Sequence, residues 1–251
     1  MTGFLGALVF LTRVPFRTSR SLDTARSVPW FPIVGLVIGA LVGGVAAALE
    51  PWASPSVAAG VAIVIGLLVT GAFHEDGLGD VADAFVGGWT REDRLRILKD
   101  SRHGTYGVVA LVSSVALRFV ALGALVAAGP RVAFAGAVTA HGLARAGAVG
   151  TMLLARPATG EGLGADYVAR LRRGSSAFGI VATLSLTLVL IGWWSAAALA
   201  AVVVSATLLT AWSRRKIGGF SGDVLGAIEQ CGEITVLVTL SIVAAHHSLW
   251  W

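Results

Sequence analysis

The stretch VAAGVAIVIGLLVTGAFHEDGLGDVADAF (Val57–Phe85) joins an apolar segment directly to three aspartates. Val57–Phe73 carries no charge and approaches the ~20 residues that a membrane-spanning helix needs. Asp76, Asp80 and Asp83 follow at i, i+4 and i+7, within roughly 60° of one another on a helical face. Carboxylates this close repel one another unless a cation lies between them, and acidic groups beside a membrane indicate a functional site.

The composition of the chain indicates an integral membrane protein. Of its 251 residues, 56% are hydrophobic and 13% are charged, and the mean hydropathy of +0.81 lies outside the range of soluble domains. We expect an all-α polytopic membrane protein, a single catalytic domain over residues 1–251, with about seven transmembrane helices and an N-terminal interfacial helix. The predicted spans are Phe31–Leu49, Val57–Phe73, Gly107–Ala128, Val132–Leu154, Phe178–Gly192, Ser195–Trp212 and Ile234–Trp250.

The segment from Phe178 to Trp212 could form one very long helix or two shorter ones. Gly192, Trp193 and Trp194 lie in its middle. Glycine permits a tight turn, and tryptophan is enriched at the bilayer interface. The sequence therefore favours two helices joined by a turn.

The basic residues indicate the orientation of the chain. If the spans alternate, Lys and Arg gather on one side, in the N-terminal arm and in the loops after the second, fourth and sixth spans. Only Arg131 falls in a loop on the opposite side, while Arg118 and Arg145 fall within spans. The positive-inside rule makes the basic side cytoplasmic, with the N-terminus inside. Topology therefore explains the net charge of +5, and we expect no nucleic-acid partner.

The polar motifs all fall on this same side, in loops or adjoining helix ends. They include His74–Phe85, Lys99–Gly107 and Gly218–Glu233. A transporter more often places its site near the midplane, reachable from both faces. The asymmetry favours a multi-pass enzyme of the cytoplasmic membrane, with its active site on the cytoplasmic face. An ion-coupled transporter stays open as the non-enzymatic alternative.

The three aspartates are candidate metal ligands. Their hard oxygens, without cysteine nearby, suit Mg²⁺ or Mn²⁺ better than Zn²⁺. The simpler interpretation is a solvated acidic start of a helix, since acidic residues are favoured there. His74, beside the cluster, is a plausible base or substrate contact, but could equally be structural.

The motif KDSRHGTYG (Lys99–Gly107) offers groups that bind phosphate. Lys99 and Arg102 can neutralise phosphate oxygens, and the Thr105 hydroxyl can complete a cradle. Anchoring by lipid headgroups is the alternative, but it does not account for Asp100 or Thr105.

Two further motifs could supply partners for the substrate. His141 and Arg145 form an i, i+4 pair inside the fourth span, and a buried arginine is expected to pair with a carboxylate or a phosphate. Asp223 could extend the metal site, whereas Glu229 and Glu233 could equally pair with arginines. A Walker-type phosphate loop is absent from the sequence. The residues thus predict a metal-dependent membrane enzyme acting on an anionic, phosphorylated substrate.

Five motifs in collinear order resemble the adenosylcobinamide-GDP ribazoletransferase, or cobalamin synthase, family. The resemblance implies a polytopic Mg²⁺-dependent membrane enzyme that joins adenosylcobinamide-GDP to α-ribazole or α-ribazole 5′-phosphate and releases GMP. It covers nearly the whole chain. The motifs are FLTRVPF (Phe10–Phe16), WFPIVGLVIG (Trp30–Gly39), TGAFHEDGLGDVADAFVGG (Thr70–Gly88), KDSRHGTYG (Lys99–Gly107) and GGFSGDVLGA (Gly218–Ala227).

Joined with the residue-level interpretation, the resemblance implies a set of site residues. The catalytic ones are His74, Asp76, Asp80, Asp83, Lys99 and Asp100, with Mg²⁺ on the three aspartates of the Thr70–Gly88 motif. The substrate-binding ones are Arg102, Thr105, His141, Arg145, Asp223 and Glu229. Glu75 departs from the apolar residue common in the family, and no role is assigned to it. A lipid enzyme like the CDP-alcohol phosphotransferases would use a similar metal site, but its sequence pattern is absent. A homo-oligomer stays open.

Overall fold

The computed structural model describes residues 2–16, 26–160, 167–168 and 171–249, and within these ranges the chain is helical and without β-strands. The prediction of an all-α polytopic membrane protein is confirmed. A 3₁₀ turn, Val28–Trp30, precedes α2, and a π-helical turn, Asp83–Gly87, follows α4. The α-helices are α1 (Thr2–Leu11), α2 (Phe31–Leu49), α3 (Pro55–Thr70), α4 (Phe73–Ala82), α5 (Arg91–Ile97), α6 (Thr105–Ala127), α7 (Pro130–Leu154), α8 (Arg173–Ile191), α9 (Trp194–Ile217) and α10 (Gly222–His246).

Six of these helices are long and apolar enough to cross a membrane: α2 and α6 to α10. A seventh crossing is made if α3 is counted with the segment after it, which agrees with the predicted number of about seven. That segment, however, bends by 90° from α3. We therefore treat α3 as the crossing part and α4 as lying across its end, outside the spans. The ten residues of α1 reach only about 15 Å, too short to cross.

The centre of the bundle is α7, whose most apolar window is 83% buried, whereas that of α9 is 17% buried and faces outward. The closest neighbour of α7 is α2. A Cβ atom at Gly35 would lie 2.5 Å from the His141 carbonyl oxygen, and one at Gly39 would lie 2.6 Å from that of Ala137. Glycines spaced four apart therefore let the two backbones approach closely, as in other membrane helix pairs.

The bend between α3 and α4 places the aspartates. Gly71 caps α3 in the left-handed region with φ +66°, and Ala72 follows with φ +54°. Two consecutive left-handed residues reverse the helical path, and such a φ is strained for alanine. The new helix then begins at Phe73 and packs across the ends of α10 and α6.

The structure differs from the predicted spans at several ends. The second span ends at Thr70 rather than Phe73 because of the bend. Helix α8 begins at Arg173 rather than Phe178, and α9 ends at Ile217 rather than Trp212. The last helix begins at Gly222 rather than Ile234, so Gly222–Glu233 of the polar motif belongs to α10. Partners from other helices surround its glutamates, as described below. The predicted end at Trp250 lies outside the described residues.

The uncertain region between Phe178 and Trp212 forms two helices. Helix α8 ends at Ile191, Gly192 caps it, and α9 begins at Trp194. The turn expected from the Gly-Trp-Trp sequence is confirmed.

The short helix α5 ties the loop before α6 to the end of α9. The Thr90 hydroxyl accepts a hydrogen bond from the Asp93 N–H at 3.1 Å and caps the helix. The Arg91 Nε donates to the Ile217 carbonyl at 2.9 Å, and the Arg94 Nη1 donates to that of Lys216 at 3.3 Å. Cationic side chains thereby satisfy carbonyls at the C-terminus of α9.

Candidate active site

Two aspartates of α4 and one histidine of the following loop form an exposed acidic group, which we call the aspartate face: Asp76, Asp80 and His103. The His103 Nε2 lies 3.6 Å from an Asp76 oxygen, and its Nδ1 lies 3.7 Å from an Asp80 oxygen. The Asp76 side chain is 66% exposed and that of Asp80 is 15% exposed. Ligand atoms of all three residues lie within 4.8 Å of one another, close enough to share one cation.

The electrostatics of this face disfavour an ionised Asp80. Burial raises the pKa of Asp80, and repulsion from Asp76 and Asp223 raises it further, to about 6 from the ordinary 3.8. His103 acts in the opposite direction but does not cancel these effects. A bound cation would remove the repulsion, so the face is arranged for a positive ligand.

Asp83 lies in a different setting from the other two aspartates. One of its oxygens accepts the Gly104 N–H at 2.6 Å, and the other accepts the Gly107 N–H at 2.9 Å. These amides begin α6, so Asp83 caps that helix from a distance in sequence. A Cβ atom at Gly107 would lie 2.3 Å from an Asp83 oxygen, which is why glycine occupies that position. Its predicted role as a metal ligand stays untested.

The predicted phosphate-binding residues line the loop between α5 and α6. The Arg102 guanidinium makes two hydrogen bonds to the Asp100 carboxylate, at 2.7 and 3.0 Å. These bonds hold the pKa of Asp100 at about 2. Lys99 and Thr105 are both exposed, and Thr105 is the first residue of α6. The two cations therefore lie at the surface on the loop that carries His103.

Asp223 lies in the first turn of α10 and approaches α4 directly. Its backbone carbonyl would be 2.8 Å from a Cβ atom at Gly77, so the two helices cross in contact. The Ser221 hydroxyl caps α10 by accepting the Val224 N–H, and it also donates to the Asp223 carboxylate at 3.2 Å. The structure thus brings Asp223 beside the aspartate face, and the hypothesis that it extends a metal site stays untested.

Beneath this face lies a group of paired charges, which we call the buried ion cluster: His74, Glu75, Arg118, His141, Arg145, Glu229 and Glu233. Arg118 of α6 joins two of its carboxylates. One Nη of Arg118 lies 2.9 Å from Glu75, and the other donates to Glu233 at 3.2 Å. Both glutamates and the arginine are buried. The charges therefore stabilise one another and link α4, α6 and α10.

Arg145 of α7 holds the other half of the cluster. Its Nη1 lies 2.5 Å from Glu229 and 2.9 Å from Glu233. The same nitrogen lies 3.2 Å from the His141 ring, as the i, i+4 spacing predicted, and His141 also contacts Glu233. A guanidinium therefore occupies the place between two carboxylates that a metal ion would otherwise take.

His74 is buried on the inner side of α4, away from the aspartate face. Its Nδ1 lies 3.5 Å from a Glu229 oxygen, and no hydrogen bond is formed there. A direct role in proton transfer at Asp76 or Asp80 is not supported by this position, although the predicted catalytic role itself is untested.

The structure thus divides the predicted residues among three settings. Asp83 caps α6, while the residues at or beside the exposed face are Asp76, Asp80, Lys99, Asp100, Arg102, Thr105 and Asp223, and those in the buried ion cluster are His74, His141, Arg145 and Glu229. His103 and Arg118 were not among the predicted site residues. His103 stands inside the quoted Lys99–Gly107 motif, and Arg118 is an arginine within a span, which signals a buried partner.

Comparisons with known proteins show the family of this chain. The family model described as cobalamin-5-phosphate synthase matches residues 3–241. The chain belongs to the cobalamin-5-phosphate synthase family. An adenosylcobinamide-GDP ribazoletransferase of Bradyrhizobium diazoefficiens is 40% identical over 238 residues, covering 92% of this chain and 90% of that protein.

Further members of the cobalamin-5-phosphate synthase family are similar over almost their whole length. The adenosylcobinamide-GDP ribazoletransferase of Ralstonia nicotianae is 36% identical, covering 93% of this chain and 92% of that protein. That of Shewanella piezotolerans is 34% identical, with coverages of 96% and 95%. No solved structure matches the chain.

Proposed function

We propose that this chain is a Mg²⁺-dependent membrane transferase that joins adenosylcobinamide-GDP to α-ribazole or α-ribazole 5′-phosphate and releases GMP at the cytoplasmic face. Membership of the family and the names of its relatives support the substrates. The observation that supports the site is the aspartate face, where two carboxylates and a histidine converge without a cation of the chain between them.

Asp76 and Asp80 are the residues that would hold Mg²⁺. Their oxygen donors suit a hard cation, and the raised pKa of Asp80 reflects repulsion that such a cation would relieve. When bound, Mg²⁺ supplies charge neutralisation for the pyrophosphate oxygens. Asp223, beside both carboxylates, adds negative charge that favours the same ion.

The cations of the α5–α6 loop are placed to hold the diphosphate. Lys99 is exposed and can approach an anionic substrate. Arg102 is also exposed, and it can exchange its bonds with Asp100 for bonds to phosphate oxygens. Binding of these groups orients the phosphorus that carries the cobinamide toward the acceptor.

In the proposed step, the 3′-hydroxyl of the ribazole attacks the phosphorus attached to the cobinamide. The new P–O bond forms as the bond to the GMP oxygen breaks, and GMP leaves with the electron pair. His103 accepts the proton of the attacking hydroxyl, because it is exposed and its ring lies beside Asp76 and Asp80, where the substrate would bind. His74 was a possible base from the sequence, but its burial behind α4 favours His103.

The test is GMP release from adenosylcobinamide-GDP and α-ribazole by the purified protein in detergent, with Mg²⁺ titrated from zero. We expect Asp80→Asn to lower turnover by about 10³-fold, corresponding to the loss of roughly 4 kcal/mol of charge stabilisation. Asp93→Asn on the exposed helix α5 is the matched control and should leave turnover unchanged. Near-normal release by Asp80→Asn, or release independent of Mg²⁺, would contradict the proposal.

A further inference from the structure

A cavity lined by aromatic rings lies on the other side of α4 from the aspartate face. Phe10 stacks on Phe31 with ring centroids 5.4 Å apart, and it meets Phe73 edge to face at 5.2 Å. Tyr167 closes the group, 5.4 Å from Phe10 and 5.9 Å from Phe31. We call these four residues the aromatic cage. Leu11, Ala148, Met152 and Leu225 complete its apolar walls.

Three polar side chains line the cavity beside the aromatic cage: His74, Arg145 and Glu229. The His74 Nδ1, the Arg145 Nε and the Glu229 Oε1 are buried and make no hydrogen bond within the described residues. The Glu229 Oε1 nevertheless lies 2.5 Å from the Arg145 Nη1 in an ion pair, so the two nitrogens are the atoms left for a ligand. The His74 side chain is 8% exposed and that of Arg145 is 3% exposed. Because burying an unpaired donor is costly, these nitrogens indicate a ligand with a complementary acceptor.

The cage is connected to the proposed active site through two helices. His74 lines the cavity, and Asp76 of the same helix turn belongs to the aspartate face. Gly222 of α10 also lines the cavity, and the next residue, Asp223, acts on Asp80. Both α4 and α10 therefore carry residues of the cavity and residues beside the aspartate face within one helical turn. Phe73, 38% exposed, lies at the open edge of the cage.

The aromatic cage is chemically suited to one part of the proposed substrates more than to the others. Flat rings stack on aromatic side chains, so a planar base fits better than the flexible, charged diphosphate. Guanine carries more donors and acceptors than the few polar atoms of this mainly apolar cavity can satisfy. A benzimidazole-type base is largely apolar, and once joined to ribose it keeps one free acceptor nitrogen. The His74 and Arg145 atoms provide donors for that one nitrogen.

We propose that the aromatic cage binds the heteroaromatic base of α-ribazole and thereby positions its ribose hydroxyl at the aspartate face. This inference rests on the proposed function and names the acceptor-binding part of that site. Phe10, Phe31, Phe73 and Tyr167 hold the base by stacking and edge contacts. Arg145 and His74 determine its orientation through the free ring nitrogen.

The test separates the two substrates kinetically. In Phe73→Ala and Tyr167→Leu we expect the KM for α-ribazole to rise by about tenfold or more, because one aromatic contact with the base is lost. The KM for adenosylcobinamide-GDP should stay within about twofold of the original, which a general packing defect would not produce. Phe4→Leu is the matched control, because Phe4 pairs with Trp30 at 5.6 Å and does not line the cage.

The outcomes distinguish this inference from the function on which it rests. A rise in the KM for adenosylcobinamide-GDP instead, or no change in either KM for both variants, overturns the cage as the base site while leaving the transferase proposal intact. If the original protein releases no GMP, the transferase proposal fails. Equilibrium dialysis with α-ribazole alone then decides: retention that Phe73→Ala abolishes supports the cage, and no retention overturns it.

Discussion

Glu75 and Asp76 are neighbours on α4, yet their carboxylates meet opposite surroundings. The Glu75 side chain is 7% exposed and pairs with Arg118 at 2.9 Å. The Asp76 side chain is 66% exposed, and its nearest charged neighbours include Asp80, which it repels. One turn of one helix therefore carries both a charge that the protein neutralises itself and a charge that it leaves for a ligand.

This difference separates the acidic residues that stabilise the bundle from those that can bind a ligand. In the buried ion cluster, guanidinium groups from α6 and α7 lie between the glutamates, so an added cation would have to displace an arginine. On the aspartate face no arginine of the described residues lies between the carboxylates, and these carboxylates repel one another. The cluster fixes α4 against the bundle, and the face on its outer side is thereby held in position.

Removing Arg118 from the buried ion cluster should have the largest effect on stability. Arg118→Ala leaves Glu75 buried without its guanidinium partner and leaves Glu233 with Arg145 as its only guanidinium partner, which costs about 3–5 kcal/mol. At roughly 2–4 °C per kcal/mol, we expect the melting temperature in detergent to fall by about 10 °C. Arg131→Ala is the matched control, because this arginine is exposed at the start of α7.

A triple variant tests whether an unpaired buried charge causes this loss of stability. Removing all three charges together, in Glu75→Gln, Glu233→Gln and Arg118→Met, should cost less than Arg118→Ala alone, because no unpaired charge is left between them. Thermal unfolding of the two variants gives the comparison directly. If Arg118→Ala melts no earlier than the Arg131→Ala control, the cluster does not hold α4 in place.

The link between α4 and α6 offers a smaller disturbance. In Gly107→Ala the new methyl group would meet an Asp83 oxygen at 2.3 Å and displace that side chain from the Gly104 and Gly107 amides. We expect a loss of about 2 kcal/mol in the free energy of unfolding and about a tenfold fall in turnover, since His103 begins this segment. Gly44→Ala, in open space on α2, should instead be neutral or stabilising.

Much of the fold could be predicted because apolar length alone determines where a chain can cross a bilayer. The bend after α3 could not, because it depends on Ala72 adopting a left-handed conformation that alanine rarely takes. The start of α10 was placed too late for a related reason. Glu229 and Glu233 precede the apolar run that begins at Ile234, and only the fold brings Arg118 and Arg145 to them.

The candidate site, too, could be predicted only where it depends on residues that are close in sequence. The i, i+4 spacing of Asp76 and Asp80 is local and was readable from the sequence. The partnership of His103 with them is not, because it depends on how the α5–α6 loop folds back. Likewise, the spacing aligned Asp83 with the other aspartates, but the amides at the start of α6 take up both of its oxygens.

On the aspartate face, a substitution that abolishes activity should make the metal-free protein more stable. Without metal at pH 8, the ionised Asp80 opposes folding, because its pKa in the fold is about 6 against the ordinary 3.8. After discounting for solvent screening, Asp80→Asn should stabilise the metal-free protein by about 1 kcal/mol, or roughly 2–4 °C. This gain should be full above pH 6, shrink as the pH falls from about 6 toward 3.8, and vanish below, where both states hold the proton.

Adding Mg²⁺ should reverse the order of the two proteins. The cation binds the folded original protein and raises its melting temperature with concentration, whereas Asp80→Asn has lost a ligand and should respond weakly. Asp93→Asn should show no gain at any pH, because hydrogen bonds from Arg96 and Thr90 lower the pKa of Asp93 and its charge favours folding. An Asp80→Asn protein that is less stable than the original at pH 8 without metal would mean that ionised Asp80 does not destabilise the fold.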